Sequence, residues 1–176
     1  MRVVIVGCGR VGAAMAQVLD MTGHEVTIVD HLTRSFDRLP ATFRGSAIRG
    51  DGTDEDTLRR AGAEGADLFL ALTEGDNRNV MAAQLAVEAL AIPRVFAKVN
   101  DPVRAQAYAE LGIGTICRTT MMADALLGVL GQAGSGEPAI REGEGHPHAT
   151  SPAGAVPATP LPAASSPAAA LPAREG

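Results

Sequence analysis

One hexapeptide limits this chain more than any other feature: Gly7-Cys8-Gly9-Arg10-Val11-Gly12, set directly after the apolar run Val3 to Val6. A buried strand that runs into G-x-G-x-x-G and then a helix is the start of a parallel βαβ unit whose turn is shaped for a pyrophosphate. Gly7 permits the tight turn, Gly9 removes the side chain that would block a phosphate, and Gly12 lets the helix pack closely on the strand. Amides at the start of that helix carry partial positive charge and favour an anion. Arg10, inside the loop, is either a cation that approaches the terminal phosphates or a solvated residue of the first turn.

Downstream, short β-branched runs alternate with longer amphipathic stretches, the pattern of a parallel sheet covered by helices. Strands are expected at Arg2 to Val6, Glu25 to Val29, Ala47 to Arg49, Leu68 to Leu72, Val95 to Val99 and Thr115 to Cys117. Helices are expected at Val11 to Met21, Arg34 to Leu39, Glu55 to Arg60, Asn77 to Leu90, Pro102 to Leu111 and Thr120 to Leu130. Right-handed crossovers arrange six such strands as 3-2-1-4-5-6, an α/β doubly wound parallel sheet with its ligand crevice where strands 1 and 4 diverge. With 46% hydrophobic residues but only 3% aromatic, the core must be aliphatic. The apolar face of Met121, Met122, Ala125, Leu126, Val129 and Leu130 is expected to cover the last strand, with an interface as the alternative.

A chain of 176 residues holds one ordinary domain with a tail. Composition shifts near Gly134, beyond which lie eight of the eleven prolines and no aromatic residue. Residues 134–176 are therefore expected to be disordered and residues 1–133 to be the folded domain, so that removing the tail leaves thermal stability nearly unaltered. His146 and His148 then belong to a solvated tail rather than a metal site. A net charge of -5 argues against nucleic-acid partners, whose affinity comes from neutralised phosphates. Cys8 and Cys117 are too far apart to read as a disulfide framework or a zinc site, and no stretch reaches the roughly 18 apolar residues of a bilayer span. A reducing cytosol suits such a chain.

Several further residues carry the expected ligand chemistry. Asp30 closes the second strand about 20 residues after the glycines, where a carboxylate accepts the hydroxyls of an adenosine ribose and repels a 2'-phosphate, even with Arg34 nearby. Asp51, in Gly50-Asp51-Gly52-Thr53, either reaches the adenine edge or makes a turn before a helix capped by Thr53 or Asp54. Thr73 and Glu74 follow the fourth strand on the opposite lip of the crevice, with Asp76 or Asn77 as a cap for the next helix. Lys98, the sole lysine, ends the fifth strand, where a cation can hold the anionic part of a nucleotide. Cys8 is read as a small buried filler of the loop.

With these residues in place, the chain resembles the N-terminal RCK (KTN, TrkA-N) domain of Trk/Ktr potassium-uptake regulators. The resemblance runs from Met1 to about Leu130 and rests on Val4 to Gly12, Val29-Asp30, Gly50 to Thr53, Leu72 to Asn79 and Val99 to Pro102. It implies a Rossmann-like fold and an adenine-nucleotide site for NAD(H) or ADP/ATP built from Gly7 to Val11, Asp30, Asp51, Gly52, Thr73, Glu74 and Lys98. It also implies a non-enzymatic, cytoplasmic regulatory subunit at the inner face of the membrane. Such a subunit gates a membrane potassium transporter and self-associates through RCK domains, with or without a second RCK chain. Many relatives carry arginine where Lys98 stands, and the usual C-terminal regulatory domain is replaced here by the Pro/Ala-rich segment. A small NAD-dependent oxidoreductase is the enzyme-class alternative. It finds poor support, because Tyr108 is the sole tyrosine, with Gly112 four residues on, and His24 and His31 fall on the adenosine side.

Overall fold

The computed structural model describes residues 1–144. Strand β1 (Arg2–Val6) is buried at every position after Arg2, as a four-residue β-branched run demands when both faces are covered. It leads through the glycine loop into α1 (Arg10–Met21), then β2 (Glu25–Asp30), a 3-10 turn over Thr33–Arg38, and β3 (Ser46–Arg49). The second half comprises α2 (Glu55–Arg60), β4 (Leu68–Ala71), α3 (Asp76–Gln84), β5 (Val95–Lys98), α4 (Pro102–Glu110), β6 (Gly114–Ile116) and α5 (Arg118–Val129). Helix α3 loosens into a π turn over Leu85–Ala89 before β5.

The six expected strands stand in the expected order, with a seventh, β7 (Ile140–Arg141), added at the edge: β3-β2-β1-β4-β5-β6-β7. β1 pairs in parallel with both β2 and β4, with Val6 beside Val29 on one side and Ala71 on the other. The chain therefore turns away in both directions from one point at the carboxyl end of β1, which opens a crevice there. Hydrophobic clusters, aliphatic but for Phe69 among the residues named, pack on the two sheet faces: Val4, Val6, Phe69 and Ala71 under α2 and α3, and Val3, Ile5, Ile28 and Leu70 under α1. Ala82, Ala83 and Ala86 are fully buried, so small side chains bring α3 close to the sheet and the core needs few aromatics.

Two expectations change. The segment from 134 to 144, expected to be disordered, supplies β7, which pairs antiparallel with β6 through Thr115 with Arg141 and Ile116 with Ile140. The Cys117 amide donates to the Ala139 carbonyl (2.7 Å) and the Glu144 amide to that of Ala109 (2.8 Å). Covering the open row of polar groups on an edge strand is enough to hold so short a piece, and two residues are too few to show alternation. Residues 145–176, including His146 and His148, lie outside the described residues. On α5 the expected core face is instead exposed: Met121, Met122, Leu126, Val129 and Leu130 all face outward, and Thr120 is the buried residue of the helix. Among the described residues no helix is long and apolar enough to cross a membrane.

Candidate functional site

The glycine loop is fixed by sterics at two of its three glycines. Gly7 has φ +104°, and a Cβ there would lie 2.8 Å from the Thr73 amide nitrogen, so both the backbone conformation and the approach of β4 require glycine. A Cβ on Gly12 would collide with the Gly7 carbonyl, which sets how closely α1 returns onto the loop. Gly9 differs: nothing lies within 4 Å of its Cβ position, so the space above it is open. Gly9 caps α1 without a side chain, and the amides before Ala13, whose N–H bonds to the Gly9 carbonyl (2.9 Å), have no intrahelical acceptor.

Asp30 ties this loop to β2. Its Oδ2 accepts from the Cys8 amide (2.8 Å) and its Oδ1 from the Leu32 amide (2.9 Å), with His31 Nδ1 3.5 Å from Oδ1. The side chain is 11% exposed and lines a cleft of about 600 Å³. The loop, the end of β2, the 3-10 turn, the Gly50-Asp51-Gly52 turn and Leu72 to Glu74 line that cleft, with Arg78 from α3. A Cβ on Gly52 would collide with the Val6 side chain, so the turn after β3 lies flat on the end of β1.

Charges of both signs surround the opening. Arg34, Arg38, Arg78 and His31 stand among Asp30, Asp37, Asp51 and Glu74. Asp51 Oδ1 accepts from the Thr53 amide (2.9 Å) and hydroxyl (2.8 Å), and these bonds, aided by Arg78 and His31, hold its carboxyl below the usual range. Asp54, rather than Thr53, caps α2 through the Thr57 amide (3.0 Å). Cys8 is fully buried and donates to the Ser35 carbonyl (3.3 Å); burial, with Asp30 adding and Arg38 opposing, pushes its thiol up to about 11.

The β4 lip is held by a side chain with no surface at all. Asn79 Oδ1 accepts from the Thr73 amide (2.8 Å) and hydroxyl (2.6 Å), while Nδ2 donates to the carbonyls of Lys98 (2.8 Å) and Thr73 (3.1 Å). Asp76 does not cap α3, as expected of it or Asn77; Gly75 does, without a side-chain bond. The Asp76 carboxylate accepts instead from the Asn100 amide (2.9 Å) and Nδ2 (2.7 Å), a second tie between the ends of β4 and β5. Burial and the nearby Arg118 guanidinium pull the Lys98 ammonium below its usual range, with Asp76 and Glu74 opposing.

Comparison with known proteins places this geometry. Residues 3–119 match the family model described as the TrkA-N domain. The chain belongs to the TrkA-N family. A Trk system potassium uptake protein, TrkA, from Streptomyces coelicolor is 44% identical over 145 residues, covering 82% of this chain and 65% of that protein. The chain thus spans less than two thirds of that relative's length. The TrkA-N domain of the inner membrane protein ybaL from Escherichia coli superposes with a TM-score of 0.65 at 18% identity, covering 73% of this chain and 96% of that one. The Kef C-terminal domain of Shewanella denitrificans, described in an AMP-bound form, gives 0.58 at 24% identity, covering 75% and 83%. Both show the same fold.

Of the expected site residues in this TrkA-N domain, Gly7, Cys8, Gly9, Asp30, Asp51, Gly52, Thr73 and Glu74 converge on the cleft. Arg10, Val11, Gly12 and Lys98 do not line it: Val11 is 54% exposed, Gly12 serves packing, and Lys98 sits beyond Asn79 on the next strand. Sequence reasoning missed Ser35, Arg38 and Arg78 as lining residues, and Asn79 as the tie beneath Thr73. Asn79 carried one signal, an amide side chain one helical turn past the start of α3 on its inward face.

Proposed function

We propose that this TrkA-N domain binds an adenine nucleotide, NAD(H) or ADP/ATP, as the sensing module of a cytoplasmic regulatory subunit in a Trk/Ktr-type potassium-uptake system. The observation that carries the reading is the Asp30 carboxylate. It joins the glycine loop to β2 through the Cys8 amide and lines the cleft, so one group serves both loop geometry and ribose recognition. Phosphates then lie over Gly9 and the start of α1, with the base toward Asp51 and Gly52. The potassium-uptake name of the Streptomyces relative and the AMP-bound form of the Kef domain support the reading.

The gated partner is a membrane potassium transporter, and the subunit associates with itself or with a second RCK chain at the inner face of the membrane. The outward apolar residues of α5 support an association of this kind, since water-facing Met122, Leu126 and Val129 on one short helix favour burial against another chain. Hydride transfer has little to work with in this cleft: Tyr108 sits on α4, within 3.4 Å of an Arg104 nitrogen, and does not line it.

Calorimetric titration with NAD, NADH, ADP and ATP, with nicotinamide absorbance followed in parallel, tests the reading. Micromolar binding without turnover supports a sensor; no binding by any of the four overturns it.

A further inference from the structure

Arg78 lines the cleft from the first turns of α3, facing the turn after β3 that carries Asp51. Among the described residues no hydrogen bond or ion pair to a protein group holds its side chain, and its one resolved interaction is electrostatic, with Asp51 across the opening. The two belong to opposite lips: Asp51 follows β3, and Arg78 follows β4. Gly52 lies flat against Val6 at the end of β1, which brings the Asp51 turn over the strand that separates those lips.

The ligand's order along the cleft assigns the space between them. Phosphate belongs over Gly9 and ribose at Asp30, so the group one step further from the phosphate, the base, reaches the Asp51 side. A guanidinium is flat, weakly hydrated and always charged, and it stacks on a π face better than an ammonium does. Asp51 keeps Oδ2 available because Thr53 uses Oδ1 alone. We infer that Arg78 is a base-recognising residue of the nucleotide cleft, laying its guanidinium over the purine face and pairing with Asp51 beyond the ring edge as a strap. The inference rests on the nucleotide reading above and adds to it a residue and a mode of recognition.

The test is titration of the full chain and its Arg78→Ala and Arg78→Lys variants with AMP, ADP and ATP, with urea unfolding of each protein as a control. Arg78→Ala is expected to weaken all three ligands by a similar factor, about three- to 30-fold, with the unfolding midpoint unchanged and Arg78→Lys recovering little. A loss that grows with the number of phosphates overturns the strap, since Arg78 would then be reading the phosphate chain. Equal affinities for wild type and variant overturn it too, while leaving the nucleotide reading intact. Failure of the wild type to bind any of the three removes the nucleotide reading itself, and the strap with it. In a double-mutant cycle with Asp51→Asn, the two substitutions together should cost less than the product of their separate factors.

Discussion

Replacing Asp30 with alanine removes two acceptors at once, and they are unequal. The Cys8 amide belongs to a residue with no exposed surface, so without Oδ2 at 2.8 Å it has no water to turn to. An orphaned buried donor of this kind costs about 1–3 kcal/mol. The Leu32 amide belongs to a residue 38% exposed, where hydration replaces most of the lost bond. For a domain of this size the nucleotide-free variant should melt roughly 3–15 °C below wild type. Loss of the ribose acceptor acts separately, weakening an adenine nucleotide by about 1.5–3 kcal/mol, or roughly ten- to 150-fold. Scanning calorimetry without ligand reads the first effect, and titration at a temperature where both proteins are folded reads the second. Asp30→Asn keeps a single carbonyl acceptor and should fall between. An unchanged melting temperature would refute the claim that the carboxylate holds the loop, and unchanged affinity would remove it from the ligand site.

The glycines make a paired prediction. Gly9→Ala should fold with wild-type stability yet lose nucleotide affinity at least about ten-fold, since its Cβ enters the open space above the loop, whereas Gly12→Ala should lower the unfolding free energy by about 1–3 kcal/mol in urea melts. Asn79→Leu leaves the partly buried Thr73 amide and Lys98 carbonyl without their partner, and should cost about 1–3 kcal/mol by the same assay. A chain ending at residue 133 should melt below one ending at residue 144, because only the longer one keeps β7 and the Glu144 bond to Ala109; equal melting would show that the edge strand contributes nothing. With its thiol pushed up to about 11, Cys8 should resist thiol reagents at pH 7.5 until the chain unfolds. The folded state keeps that proton longer than the unfolded chain does, so stability should decline as pH rises from about 9 toward 11, an effect Cys8→Ala should reduce.

The strands and the glycine loop were legible because each is a local pattern: Val3 to Val6 is apolar at every position, Gly7 takes the positive φ of a tight strand-to-helix turn, and Gly12 is demanded by a contact within one βαβ unit. Asp30 was legible for the same reason, at a distance fixed by one helix and one strand. What stayed hidden depends on groups far apart in sequence. Asp76 reads as a helix cap, and only the placement of Asn100 beside it, 24 residues away, takes the carboxylate elsewhere. Arg78 follows β4 and Asp51 follows β3, and only the packing of the Gly52 turn on Val6 brings the two to one opening. β7 is two residues long and takes its reason from the β6 edge, not from its own sequence.

A nucleotide in the cleft is felt elsewhere only if its affinity differs between two arrangements of the groups it touches. Thr73 is such a group, and its amide and hydroxyl both end on Asn79, whose other hand holds the Lys98 carbonyl. Beside them Asp76 holds Asn100, and the Asn100 carbonyl accepts from Cys117 Sγ (3.6 Å) at the head of α5. Thr120, the buried residue of that helix, donates in turn to Cys117 Sγ (3.3 Å). The route from the cleft to the exposed apolar helix is thus made of linked polar groups, partly buried at Thr73, Asp76 and Asn100 and buried at Asn79, Cys117 and Thr120. A ligand that shifts Thr73 must either break one of these bonds or carry the ends of β4 and β5 with it. That makes α5, which is weakly held by the sheet and turns methionine and leucine outward, the element best placed to move with them.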